Sequence, residues 1–142
     1  MGKKQGLTMR VTDWEDRFND VFEKYQTLPF AYGTADCFTF PADVILAITG
    51  QDILAPYRGY SSKAEAAKLI VTLGGKHQGD AFAVHFPDVH PFFARRGDVG
   101  YMDYDGGVAT GVFTHQGFTC KSEEGLISVS PERVRKAWKI EF

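Results

Sequence analysis

A chain of 142 residues, 44% hydrophobic and 14% aromatic with twelve Phe, is long enough to bury one core without disulfide or metal staples, and its composition excludes a disordered or fibrous protein. Sixteen basic against eighteen acidic residues give a formal charge of -2, so the chain as a whole offers no electrostatic footprint for nucleic acid or an anionic membrane. The polar stretch Met1–Thr8 lacks the apolar run of a secretory signal, and nowhere do eighteen apolar residues follow one another, which predicts cytoplasmic synthesis and no membrane insertion.

Residues 1–10 read as a flexible leader and 11–142 as one domain. Thr12 and Glu15 stand at capping-box spacing before an apolar helical face of Trp14, Phe18, Val21, Phe22 and Tyr25, which Pro29 ends. A second helix is expected from about Cys37 to Thr49, closed by Gly50, and a third from the Ser62/Glu65 capping box to Gly74-Gly75. Between them, Gln51 to Ser61 reads as an ordered surface loop; later, a short helix is expected near Ala81 to Val84 before Pro87 and Pro91 break the chain. After Arg95-Arg96-Gly97-Asp98 the period changes to two. Strands are expected at Val99–Met102, Val108–Thr114, Phe118–Lys121, Leu126–Val129 and Trp138–Phe142, with one helical turn at Ser130-Pro131-Glu132. Helices first and an antiparallel meander second make an α+β protein. Arg95 and Arg96 read as anchors of the sheet, as binders of an acidic partner, or as a solvated edge.

The chemistry centres on Cys37, predicted to sit where a turn becomes a helix. Unpaired amides at a helix start carry about half a positive charge, which favours a thiolate. The alternative is a buried cysteine packed as a small hydrophobe. Asp36 is positioned to cap the helix, and its charge opposes thiol ionisation unless amides occupy its lone pairs. Cys120 is the other cysteine in the chain; without a Cys-x-x-Cys spacing neither a disulfide scaffold nor a structural zinc site is indicated, and no cofactor is expected.

Tyr32-Gly33, Asp36-Cys37 and Gly97-Asp98-Val99 resemble the NlpC-type branch of papain-like cell-wall peptidases. The span from Trp14 to Trp138 is similar to a group of phage and prophage tail proteins related to that branch. The similarity runs through Pro29-Phe30, Asp36-Cys37-Phe38, Thr49-Gly50, Arg58-Gly59, Gly74-Gly75, Arg95-Arg96-Gly97-Asp98, Gly125-Leu126 and Ala137-Trp138. The resemblance implies a papain-like fold with the cysteine helix packed on the late sheet, a histidine early in the second strand as general base, and a third polar group to orient it. Matching Gly111-Val112-Phe113 to the family strand puts that histidine position on Ala109 and the orienting group around Thr119 or Cys120. Pro41 departs from the pattern, since it lacks the amide that would bond the Cys37 carbonyl.

His115 is the candidate replacement base, at the end of the matched strand, with His85 and His90 as further candidates and His77 read as a loop residue. A zinc site from His85, His90 and a cysteine matches no known ligand spacing. The Phe30, Phe38, Phe40 and Phe92-Phe93 set reads as core, with some Phe available to a protein interface. The resulting expectation is a tail-tip or tail-hub component of a virion, degenerate as a catalyst and bound to other tail proteins. The alternative is an active cysteine peptidase or amidase that cuts peptidoglycan stem peptides with Cys37. A third class, thiol redox chemistry, requires Cys120 near Cys37.

Overall fold

The computed structural model describes residues 9–141. Four helices precede most of the sheet: α1 (Trp14–Thr27), α2 (Thr39–Thr49), α3 (Lys63–Thr72) and α4 (Asp80–His85). The strands are β1 (Asp88–Val89), β2 (Val99–Tyr104), β3 (Gly107–Thr114), β4 (Gly117–Ser122), β5 (Gly125–Val129) and β6 (Val134–Trp138). They form one six-stranded sheet in the order β1-β6-β2-β3-β4-β5, antiparallel at every pairing. The architecture is α+β, with N-terminal helices and a C-terminal antiparallel sheet. No described helix is long and apolar enough to cross a membrane.

The order follows from local chemistry. Asp105 and Gly106 both take positive φ (49° and 78°), the type I′ geometry that Asp-Gly supplies, so β2 and β3 pair in register from Tyr104↔Gly107 to Val99↔Val112. The register sets Tyr101 opposite Thr110. Side chains then alternate: Val99, Tyr101 and Val112 join the core beneath the helices, while Met102, Ala109, Phe113, Phe118 and Cys120 form a second cluster on the reverse face. Val89, Ala94, Ile127 and Val129 pack against that reverse cluster. Helix α2 carries few polar residues because it is buried between α1 and β3; Phe40, Ala42, Val44, Ile45 and Ile48 are all buried.

Four expectations need correction. Thr12 does not cap α1: Asp13 occupies the position before Trp14, makes no cap bond, and holds Arg17 at 2.9 Å instead. The last strand is Val134–Trp138, because the chain then leaves the sheet to bond Pro87 O and the Asp98 carboxylate through Lys139 N and Ile140 N; Phe142 lies outside the described residues. Strand β1, paired to β6, has no counterpart in the sequence reading. Of the expected leader, residues 1–8 lie outside the described residues, while Arg10 is held in place by the fold.

Arg10 ties the segment before α1 to the sheet. Its side chain is 4% exposed and lies 4.3 Å over the Trp14 ring, with Nη2 donating to Asp98 Oδ1 at 2.9 Å and Nη1 to Arg96 O at 2.7 Å. Asp98, 1% exposed, also accepts from Ile140 N and Arg95 N, so one carboxylate joins the chain start, the β2 entry and the chain end. Arg95 pairs with Glu141 and Arg96 with Glu15, so both arginines bind carboxylates of their own chain. Removing one member of a buried pair leaves the other uncompensated, typically by 3–5 kcal/mol. Asp98→Ala is therefore expected to lower unfolding stability by about 3 kcal/mol in urea titrations.

Candidate functional site

The segment Ala31–Thr39 is a tight turn feeding a helix. Ala31 and Ala35 close the turn through a bridge, and Gly33 sits at its tip with φ +86° and no room for a side chain, since a Cβ there would stand 2.2 Å from Tyr60 O. The regular helix begins at Thr39, but its first turn already forms over Asp36, whose carbonyl accepts from Phe40 N at 3.1 Å. Asp36 is thus the cap, as the sequence predicts, and Cys37 is the first residue inside the turn. Oδ1 accepts from Phe38 N and Thr39 N at 2.9 and 2.8 Å, while Thr39 Oγ1 accepts from Asp36 N at 2.8 Å, a reciprocal box. Oδ2 accepts from Gly33 N at 2.8 Å and from Tyr60 OH at 2.6 Å.

Four donors therefore surround a carboxylate that is 3% exposed. Beneath it, Tyr25 OH donates to Asp43 Oδ2 at 2.5 Å and lies 3.1 Å from Thr39 Oγ1. These contacts fix the helix start from α1 and from the loop before α3.

Cys37 is partly exposed, and two side chains meet it. Its sulfur lies 3.2 Å from Gln78 Oε1, on the turn preceding α4. Thr110 Oγ1, on β3, donates to the Cys37 carbonyl at 2.6 Å and lies 3.0 Å from the same Gln78 atom. Pro41 explains the carbonyl bond: four residues after Cys37, it has no N–H to offer, and the Thr110 hydroxyl fills that place. Burial pushes the Cys37 thiol above its ordinary value; the Asp36 charge adds to this, while the Thr110 and Gln78 groups work against it.

The position facing Cys37 is Thr110, not Ala109. Strand alternation turns Ala109 into the reverse cluster, away from Cys37. Thr119 and Cys120 do not orient an imidazole. The Thr119 hydroxyl joins Thr114 at 2.8 Å and Ser128 at 2.7 Å, and Cys120 lies on the reverse face as a free thiol raised by burial.

The histidines are dispersed. His115 follows Thr114 in the β3–β4 turn and packs its ring 5.7 Å from Phe22; about 13 Å of strand separates Thr114 from Thr110, so the structure does not bring it to Cys37. His85 Nδ1 is 3.1 Å from Gln51 Nε2, and His90 Nδ1 accepts from Phe92 N. His77 lies closer to the site than its reading as a loop residue suggests: its ring packs 4.5 Å from Tyr101, the cross-strand neighbour of Thr110. Its Nδ1 accepts from Gly79 N, and its Nε2 faces Asp80 Oδ1 at 4.0 Å. Among the described residues no three His, Cys, Asp or Glu side chains are grouped to hold a metal ion. Sequence reasoning missed Gln78, Tyr60 and Thr110. Only Thr110 had a signal: it shares a face with Val112, and Pro41 left a carbonyl needing a donor.

Tyr25 and Tyr60 are also raised, first by burial and then by Asp43 and Asp36 respectively. Each of these groups holds its proton more tightly folded than unfolded, so their contribution to stability is complete below the unfolded values of about 9 for thiol and 10 for phenol and is lost as pH rises beyond them. Thermal midpoints should fall progressively above about pH 9, and Tyr60→Phe should show a shallower alkaline decline in calorimetry.

No curated protein matches the chain. A family model described as Domain of unknown function (DUF6950) matches residues 9–140, from the segment holding Arg10 to the last residue bonded to Asp98, and covers the whole site. The chain belongs to that family.

Proposed function

We propose that the protein is a tail-tip or tail-hub component of a bacteriophage or prophage, made in the host cytoplasm and carried in the virion, with an NlpC-like, papain-type domain that no longer acts as a catalyst. The observation that carries the loss of catalysis is Thr110, a hydroxyl already committed to the Cys37 carbonyl, in the place from which strand β3 faces the thiol. A hydroxyl does not take up a proton near neutral pH. Supporting the ancestry are the capped turn that presents Cys37, the packing of α2 on an antiparallel sheet, and the order of motifs from Trp14 to Trp138. General-base assistance contributes about 10²–10⁴-fold, and a thiol raised above its ordinary value lacks the thiolate to compensate.

The assembly role has a surface to use. Phe92 and Phe93 are each 79% exposed on a 3₁₀ turn that the His90 side chain caps, a rigid presentation of two aromatic anchors for neighbouring tail proteins. Phe38 and Phe40, by contrast, are core. The second reading, an active peptidase cutting stem peptides of peptidoglycan, is favoured by the partial exposure of Cys37 and by the four donors that occupy Asp36.

Purified protein is expected to release no soluble fragments from several peptidoglycan types, and phage carrying Cys37→Ala should assemble and infect normally. Phe92→Ser/Phe93→Ser should fold yet be depleted from particles, as measured by mass spectrometry of purified virions. Fragment release that Cys37→Ala abolishes would establish the peptidase instead, and absence of the native chain from particles would remove the virion assignment.

A further inference from the structure

As the carboxamide is placed, Gln78 Oε1 faces two groups, the Cys37 sulfur at 3.2 Å and Thr110 Oγ1 at 3.0 Å. Thr110 Oγ1 lies closer still, 2.6 Å, to the Cys37 carbonyl oxygen. A hydroxyl has one proton and two lone pairs, so it donates to one of these neighbours and presents lone pairs to the other. The carbonyl takes the proton. It is the nearer acceptor, and Pro41 has removed the helical amide that would otherwise satisfy it.

Thr110 Oγ1 then faces Gln78 with lone pairs, which require a donor. The two ends of a carboxamide are alike in size and shape and are told apart by the hydrogen bonds they meet. An oxygen at this position would face the Thr110 lone pairs. A nitrogen would use one proton for Thr110 and keep its second for the sulfur 3.2 Å away.

We propose that Gln78 turns its amide nitrogen to the site and donates to both Thr110 Oγ1 and the Cys37 sulfur, so that it is the positioning residue of the thiol and the side-chain donor that supports negative charge on it. Pro41 sets the polarity of the whole relay, from carbonyl to hydroxyl to amide to sulfur. The inference rests on the reading above for treating Cys37 as the centre of the site. It adds that, where the imidazole is missing, a neutral side-chain amide supports the thiolate against burial. The opposite orientation makes the opposite prediction, because an oxygen accepting from S–H would stabilise the neutral thiol.

The test is the pH dependence of Cys37 alkylation by iodoacetamide, read on the Cys37 peptide by mass spectrometry, for the native protein, Gln78→Leu and Pro41→Ala. Gln78→Leu should move the midpoint upward by about one pH unit, which is about tenfold slower alkylation at pH 7. Pro41→Ala restores an amide to the Cys37 carbonyl and frees the Thr110 proton for a Gln78 oxygen, so its midpoint should also rise. Circular dichroism establishes that each variant is folded, and if one is not, the other decides. An unmoved or lowered midpoint in a folded variant overturns the proposal. The measurement needs neither peptidoglycan nor virions, so its failure and the failure of the tail assignment are seen separately.

Discussion

The carboxylate of Asp36 is the constraint on which the site depends. A carboxylate has room for about four hydrogen bonds, and here all four places are filled: two amides of the helix start, the amide of Gly33 and the hydroxyl of Tyr60. The four donors serve three structural needs. The helix amides begin α2, Gly33 closes the turn, and Tyr60 draws the loop before α3 against both. Hydrogen bonds to a charged group contribute about 1.5–3 kcal/mol each, which is enough to hold a tight turn whose glycine cannot be replaced without meeting Tyr60 O.

A second constraint joins this turn to the sheet. In an ordinary helix the Cys37 carbonyl would be satisfied from within, and the helix could pack on β3 through apolar contacts alone. Pro41 leaves the carbonyl open, and Thr110 closes it from the sheet. Helix and sheet are therefore registered by a hydrogen bond as well as by the shapes of Val112, Phe38 and Phe40. The same bond commits the hydroxyl of the residue that faces the thiol, so the geometry that fixes the helix also decides what chemistry the strand offers.

Much of this was legible in the sequence, for reasons that differ by element. The turn residues of the meander, Asp105-Gly106 above all, and the cap of α3 by Ser62 are local signals, since the chemistry that fixes them lies within a few residues. Asp36 as cap was legible for the same cause. Thr12 was misleading because a capping pattern competes with neighbours, and Asp13 with Arg17 lay one residue away. Arg10 could not be read, because its partners stand 86 to 130 residues along the chain. At the site, the resemblance pointed to Ala109, and because side chains alternate along a strand a single residue decides which face is reached. Only the observed register separates Ala109 from Thr110. Gln78 arrives from a turn with no sequence relation to Cys37.

The balance at the thiol is then a contest of magnitudes. A helix start is worth about 0.3–1 kcal/mol to a nearby negative charge, and up to about 2 kcal/mol where geometry is favourable. Asp36 already engages two of the amides that create that field. Burial opposes ionisation by as much as several pKa units, each worth 1.36 kcal/mol. Burial therefore wins at Cys37, in agreement with the raised thiol. A cysteine at a helix start is thus not reactive by position alone. It becomes so when a base removes its proton, and in this chain the residue that faces it from β3 is bound to a backbone carbonyl. What position does fix is the place of the thiol, at the junction of turn, helix and sheet, beside Gln78 and Thr110.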